Sequence, residues 1–261
     1  MDDLRSFAET RCEVVGVEWS VDGRKALDVK ADFIVVLGGD GTLIGVARSL
    51  GVQQVPLIGV NIGKLGFLAE FTAKELKERF DQTISDATLV HKRLILRVEI
   101  SERGRVRESA LAINDCVVHA GPPFRLIQLG ISINEQPLCE LGGDGVIVCT
   151  PIGSTAHNLS AGGPIMEPSV DAIIVTPLCP HSLTHKPLVV DQAATIEIVP
   201  QRVNEGTTLM IDGQVSFPLQ QGVSVRVRRF ERDLLLVRNP MYADWHKLVT
   251  KLHWGRAPGI D

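Results

Sequence analysis

The hydrophobic rhythm of the chain changes near residue 93, and no other feature limits its possible folds as strongly. Before that point, short apolar runs alternate with segments of helical spacing. "DFIVVL" (32–37) has the composition of a strand buried on both faces. "TLIGVARSL" (42–50) is helical in spacing and ends at Gly51, a residue suited to a left-handed stop. "VPLIGV" (55–60) is a second buried strand, and "TAKELKERF" (72–80) opens with Thr72 and Glu75 at capping-box spacing. Leu76, Phe80 and Ile84 then form one stripe. This order predicts a parallel sheet with helices packed on it. From Arg93 the period is two: in "LILRVEI", Leu94, Leu96, Val98 and Ile100 share a face. "RLIQLGISI", "ATIEIVP", "TTLMIDGQVSF" and "VSVRVRRF" continue as short strands broken by Gly, Pro and Asn, the pattern of an antiparallel sandwich. After Pro240 helical spacing returns, with Trp245, Leu248, Val249 and Leu252 in a stripe expected to pack on the first domain and Gly255 ending it. The expected division is an α/β domain over residues 1–91, a β-sandwich over 92–238 and a returning C-terminal segment over 239–261.

Composition narrows the function. With 44% hydrophobic and 22% charged residues in 261, the chain can bury a sizeable core. A net charge of -4 gives no reason to expect a nucleic acid or an anionic membrane as partner. The densest cationic run, "VRVRRFER", alternates as the wet face of a strand does. No apolar run reaches the roughly 18 to 20 residues of a membrane helix, and the acidic start "MDDLRSFAET" lacks the features of a signal peptide. Five cysteines, odd in number and without a C-x-x-C pair, suit a reduced cytoplasm better than a disulfide scaffold or zinc site. His181 and His185 lie between Pro180 and Pro187 and read as loop or strand histidines, so no protein-held metal is expected.

The chain spells Gly-Gly-Asp-Gly twice. Gly38, Gly39, Asp40, Gly41 and Thr42 sit at the carboxyl end of a strand and the start of a helix, where open α/β sheets bind ligands. Glycines let another molecule approach the backbone, and the free N–H groups of a helix start favour phosphate. A carboxylate there repels phosphate unless it binds a metal or accepts a proton. Asp40 is therefore suited to deprotonating a hydroxyl that attacks a phosphoryl group; the alternative is a tight turn with Asp40 capping its helix. Neither the P-loop nor the dinucleotide fingerprint is present. The second copy, Gly142 to Gly145, lies between strand-like "INEQPLCEL" and "VIVCT" and reads as a hairpin turn with one exposed carboxylate, Asp144. "TPIGSTAHNLSAGGP" follows, either a long connection or a ligand-binding surface.

Together these stretches resemble the NAD kinases, which phosphorylate the 2′-hydroxyl of the adenosine ribose of NAD. The resemblance rests on "GGDGT" (38–42), "NIGKLGFL" (61–68), "ND" (114–115), "DGVIVCTPIGSTAHNLSAGGPI" (144–165), "PHSLTHKPLVV" (180–190) and "DGQ" (212–214). Lipid kinases and phosphofructokinases share something like the first motif; the segment after Asp144 is the specific one. The resemblance implies a Rossmann-like first domain, a β-sandwich, and a dimer or tetramer with the nucleotide between the domains near a subunit contact. It implies that Asp40 is the catalytic aspartate in a donor loop of Gly38, Gly39, Gly41 and Thr42. Asn114 and Thr155 would meet adenine, Asp115 the nicotinamide-side ribose, and Ala156, His157 and Ser160 the length of the dinucleotide. Asp144 would reach the nicotinamide amide of a neighbouring subunit's ligand, and Asn61, Gly142 and Asp212 are further candidates. ATP with Mg²⁺ or another divalent cation is the implied donor, with polyphosphate as an alternative.

Four positions depart from the family's pattern. Ile152 replaces a usual Thr or Ser, His157 a Tyr, and Asp115 the commoner Glu. Gly142 stands where some NAD-strict relatives carry Arg, which opens the acceptor to NADH. The apolar strand that opens related chains is not matched, so the sheet is expected to lack a member and expose its neighbour. A catalytically weak NAD(P)-binding regulator, or a lipid or sugar kinase sharing only the glycine turn, are the competing readings.

Overall fold

A computed structural model describes residues 2–19, 30–63, 66–243 and 245–255. Sixteen strands and six α-helices are numbered here in chain order among those residues. The first sheet holds β1 (Ile34–Leu37), β2 (Leu57–Val60), β3 (Val90–Arg93) and β16 (Leu234–Val237), in the order β1-β2-β16-β3. β1, β2 and β16 run parallel, and β3 runs against β16. β2 is buried throughout and feeds both faces. Leu57 packs with Leu43, Ala47 and Leu50 of α2 (Asp40–Leu50), whereas Ile58 and Val60 pack with Leu4 of α1 (Asp2–Glu9), Leu76 of α3 (Ala73–Glu78) and Phe80 of α4 (Phe80–Ser85). Each such side chain taken from water stabilises the layer by about 1.5–3 kcal/mol.

Local signals in this region hold with amendments. Thr72 and Glu75 form the capping box, each side chain meeting the other's backbone. The stripe through Leu76, Phe80 and Ile84 spans two short helices, because the chain breaks at Arg79. β1 is not buried on both faces: it is an edge strand, and Val35 is 38% exposed. No described strand flanks its outer side. β16 lies inside the stretch expected for the sandwich yet belongs to the first sheet.

The sandwich is antiparallel. One sheet comprises β6 (Asp115–His119), β9 (Gly145–Cys149), β10 (Ala172–Leu178), β11 (Leu188–Asp191), β13 (Thr208–Ile211) and β14 (Val215–Pro218), in the order β11-β10-β9-β6-β13-β14. The other comprises β4 (Leu96–Glu102), β5 (Arg105–Ala112), β7 (Ile127–Ile133), β8 (Gln136–Gly143), β12 (Ile196–Arg202) and β15 (Val223–Arg229), in the order β5-β4-β15-β12-β7-β8. Leu94, Leu96, Val98 and Ile100 all face the core, as their period predicts. Arg226 and Arg228 point outward beside Glu197 and Glu99. The outer face of the β9 sheet is apolar too, with Val117, Ile147, Cys149 and Ile174 covered by Ala161 and Met166. That cover holds the segment after Thr150 against the sheet, including the one-turn α5 (His157–Ser160).

The second Gly-Gly-Asp-Gly is not a hairpin. β8 and β9 lie in opposite sheets, and the four residues carry the chain from one to the other. The C-terminal helix α6 (His246–Leu252) returns to the first domain, but no residue in it is buried. Trp245 and Val249 are exposed, Leu248 and Leu252 are half-buried, and a lysine ties the helix to the first domain: Lys247 Nζ reaches Phe67 O and, at 2.5 Å, Glu70 Oε1.

Candidate active site

The first glycine turn closes the parallel layer. Gly38 N donates to Val60 O at 2.9 Å, and Gly39, in extended conformation, is the residue that precedes α2. Asp40 is thus the first helical residue and does not cap its own helix. Its carboxylate turns to a neighbouring loop: Oδ2 accepts from Phe67 N at 2.6 Å, and Oδ1 from Leu68 N and Ala69 N, both at 3.0 Å. A carboxylate offers about four lone-pair sites, so three N–H donors fix its orientation and leave one site on Oδ2 open. Gly66 is required by this approach, since a Cβ there would lie 1.8 Å from Asp40 Oδ1. Gly39, Gly41 and Thr42 are exposed beside it. Asn61, a candidate contact, turns its Oδ1 to Gly63 N at 2.6 Å and shapes its own loop; Lys64 and Leu65 of the same motif lie outside the described residues.

A second turn binds this site to the sandwich. Asp212 adopts a positive φ of 50° and points inward, its side chain 0% exposed. It accepts from Asn114 N at 2.7 Å, Ile113 N at 3.0 Å and Asp115 N at 3.2 Å, and pairs with Arg48 Nη1 at 3.0 Å. Burial pushes its pKa up, while the backbone N–H groups and Arg48 pull it down. Every described donor around it contributes a proton and none accepts one, so the geometry is that of a carboxylate. Arg48 Nη2 also meets Gln214 Oε1 at 2.5 Å, and Gln214 Nε2 donates to Gly41 O at 2.9 Å. A continuous path therefore runs from the glycine turn through Gln214, Arg48 and Asp212 to the backbone of Asn114 and Asp115. Arg48 and Gln214 carry no motif spacing, because the partners of Arg48 lie more than 160 positions away.

Asn114 and Asp115 hold unused polar capacity. Asn114 Oδ1 is buried with no hydrogen-bond partner, an orphan of the kind a ligand satisfies. Asp115 is buried, and its pKa is raised to about 7, first by burial and then by the charge of Asp212. Burial likewise raises the thiols of Cys116 and Cys149 on the paired strands.

The polar segment after β9 sorts its side chains by role. Thr150 Oγ1 donates to Ile113 O at 2.7 Å, Asn158 Nδ2 to Ser154 O at 3.1 Å, and Thr176 Oγ1 to Asn158 Oδ1 at 2.6 Å. These buried groups pin the segment to the sheet. Gly153 comes so close to Asn114 that a Cβ would lie 2.1 Å from its carbonyl oxygen. Thr155, Ala156, His157 and Ser160 remain partly or fully exposed. Ile152 packs with Leu43, Leu68 and Ile113, so the hydroxyl missing there is replaced by a contact between the two domains. A cavity of about 120 Å³ is lined by Phe67, Ile152, Thr155, Met166, Tyr242 and Lys247. A larger one of about 510 Å³ runs along β3 and touches none of the expected site residues.

Asp144 stands apart from this group. Asp115 pairs with Cys149 and His119 with Gly145, so Asp144 lies beyond the far end of the β6–β9 ladder. Five steps of about 3.4 Å put it roughly 17 Å away from Asp115. It is exposed, and the neighbouring Gly142 offers its carbonyl to His181 N at 2.8 Å.

Comparison with known proteins bears on this geometry. Residues 2–88 match the ATP-NAD kinase N-terminal domain and residues 113–239 the ATP-NAD kinase C-terminal domain. An NAD kinase of Geotalea daltonii is 42% identical over 232 residues, covering 89% of this chain and 82% of its own. One from Geobacter sulfurreducens is 39% identical, covering 88% and 81%. Among solved structures, yeast NADH kinase complexed with NADH superimposes with a TM-score of 0.81 at 32% identity, covering 87% of this chain and 67% of its own. An NAD kinase from Archaeoglobus fulgidus in complex with ATP gives 0.68 at 28% identity, covering 80% and 78%.

Proposed function

The chain belongs to the NAD kinase family, and we propose that it moves the γ-phosphoryl group of ATP onto the 2′-hydroxyl of the adenosine ribose of NAD with Asp40 as base. It is a phosphotransferase. The observation that carries the residue assignment is the Asp40 carboxylate, immobilised by three backbone N–H groups with one lone pair open beside an exposed glycine turn. An alcohol is barely ionised near neutrality, so attack on phosphorus gains about 10²- to 10⁴-fold from an oriented base. The ribose hydroxyl would donate to that lone pair, its oxygen would form the bond to phosphorus, and ADP would leave. Gly38, Gly39, Gly41 and Thr42 leave room for the donor at the start of α2.

Adenine recognition falls to the orphaned Asn114 Oδ1 and to Thr155, with Ala156, His157 and Ser160 along the dinucleotide. Asp115 would accept from the vicinal hydroxyls of the second ribose. Asp212 acts through Asn114 and Asp115, whose backbone it holds, and its buried side chain makes no ligand contact of its own. Mg²⁺ would supply charge neutralisation on the triphosphate. Mg²⁺ usually keeps several waters and binds through one or two carboxylates plus substrate phosphates. The exposed Asp144, far from Asp115, suits a role toward a neighbouring subunit's nicotinamide in a homodimer or homotetramer. Gly142 leaves space, since an added Cβ would meet only Leu126 Cδ2 at 3.6 Å, and this supports NADH as a second acceptor. No described helix is long and apolar enough to cross a membrane, and a cytoplasmic site of action is part of this reading. The functional division is drawn at residues 91 and 238, with β16 lent back to the first sheet.

The test is formation of NADP from NAD with ATP and Mg²⁺, read by an NADP-dependent dehydrogenase, with polyphosphate and NADH substituted in parallel. Turnover with NAD is expected. Tight NAD binding without turnover would mark a regulator, and labelled phosphate in lipid or sugar would move the reading to another kinase.

A further inference from the structure

A carboxylate beside a transferring phosphoryl group raises an electrostatic problem, since both are negative, and a nearby cation is needed to offset it. Arg48 is occupied by Asp212 and Gln214. Among the described residues the other cations near Asp40 come from α6, through one residue. Phe67 gives its N–H to Asp40 Oδ2, receives Lys247 Nζ on its carbonyl oxygen, and lies with its ring 5.2 Å from Lys251 Nζ. Lys247 is neutralised by Glu70 Oε1 at 2.5 Å, a pair held from behind by Asn239 on Glu70. Lys251, four positions on, is half-buried and pairs with no carboxylate among the described residues. It senses Asp40 across the ring: burial lowers its pKa, the Asp40 charge raises it, and Lys247 lowers it again.

We infer that Lys251 is a donor-binding residue, the ammonium group that meets the phosphate chain of ATP beside Asp40, held in place by the Phe67 ring and the Lys247–Glu70 anchor. This rests on the kinase reading above and adds to it a role for the C-terminal helix. Before nucleotide binds, the aromatic face and the Asp40 charge hold the cation in a partly dry site. A phosphate oxygen offers a stronger partner, because hydrogen bonds between charged groups are short and about twice as strong as neutral ones. The other lysine acts differently, since Lys247 positions the loop from Phe67 to Glu70 against Asp40.

The experiment uses the full chain with Lys251→Met, which keeps apolar contact with Phe67, and Lys251→Arg. Steady-state kinetics are read against ATP and NAD separately, and calorimetry follows a non-hydrolysable ATP analogue. For Lys251→Met, kcat/KM for ATP and analogue affinity should each fall about 10- to 100-fold, as expected for loss of a hydrogen bond to a charged group. The Kd for NAD should stay within about two-fold, and Lys251→Arg should recover most of the loss. Unchanged analogue affinity in Lys251→Met, or equal losses for ATP and NAD, would overturn the assignment. If Lys251→Met fails to fold, Lys251→Gln with the same calorimetric readout decides between the same outcomes. A wild-type chain that makes no NADP at all would instead overturn the kinase reading, so the two failures are distinct.

Discussion

At the first Gly-Gly-Asp-Gly turn a methyl group placed on Gly39 would meet nothing within 4 Å, whereas at the second a methyl on Gly145 would lie 2.0 Å from Val118 O and one on Gly143 2.8 Å from Leu178 O. The first copy is open above and rigid below: its aspartate is fixed by a neighbouring loop while Gly39 and Gly41 face outward. The second is closed at Gly143 and Gly145, which are pressed between strands of the sandwich where the chain changes sheets, and has space only at Gly142. The same four letters thus serve access in one place and packing in the other. What separates them is the following element, a helix with free N–H groups in the first case and a buried strand in the second.

The contrast can be broken most severely where the first turn is tied to the sandwich. Arg48→Met strands the Asp212 carboxylate in a site where the two side chains are only 7% and 0% exposed. It should cost about 3–5 kcal/mol in urea denaturation; a loss under about 1 kcal/mol would mean that the three backbone N–H groups suffice. Next in size, Gly145→Ala should destabilise by about 1–3 kcal/mol through overpacking. Gly39→Ala should change stability by less than about 0.5 kcal/mol while lowering kcat/KM for ATP. Equal destabilisation by both would erase the distinction between the copies.

A further prediction is a pH slope from Asp115. Its folded pKa of about 7 lies above the ordinary 3.8, so the folded state keeps a proton that the unfolded chain has already released between those values. Stability of the free protein therefore falls as pH rises from about 4 to about 7. Thermal melts should show Asp115→Asn flattening this slope and exceeding the wild type at pH 8. An unchanged slope would show that Asp115 is solvated.

How far these features were legible in the sequence follows from their range. The switch from mixed to two-residue period placed the two domains, and local chemistry placed the capping box and the core faces of β4 and β15. The return of β16 to the first sheet was not legible, since a four-residue apolar run has no period that selects a sheet. Turn residues marked a change of direction at the second Gly-Gly-Asp-Gly, but the hairpin read from them was wrong, because local turn chemistry does not say that the flanking strands belong to opposite sheets. Asp40, Asn114 and Thr155 were visible as motifs. Arg48, Gln214 and Lys251 act through contacts made far along the chain, and the apolar stripe of α6 gave no sign of the lysine contacts made from the same helix.

The open lone pair on Asp40 is tested most directly by Asp40→Asn, which keeps shape and hydrogen-bond acceptance at one oxygen while removing the base. Turnover of NAD with saturating ATP and Mg²⁺ should fall about 10²- to 10⁴-fold, with the Kd for NAD, measured by calorimetry, within about two-fold of wild type. A variant that binds NAD normally and turns over at close to the wild-type rate would contradict the role given to this carboxylate.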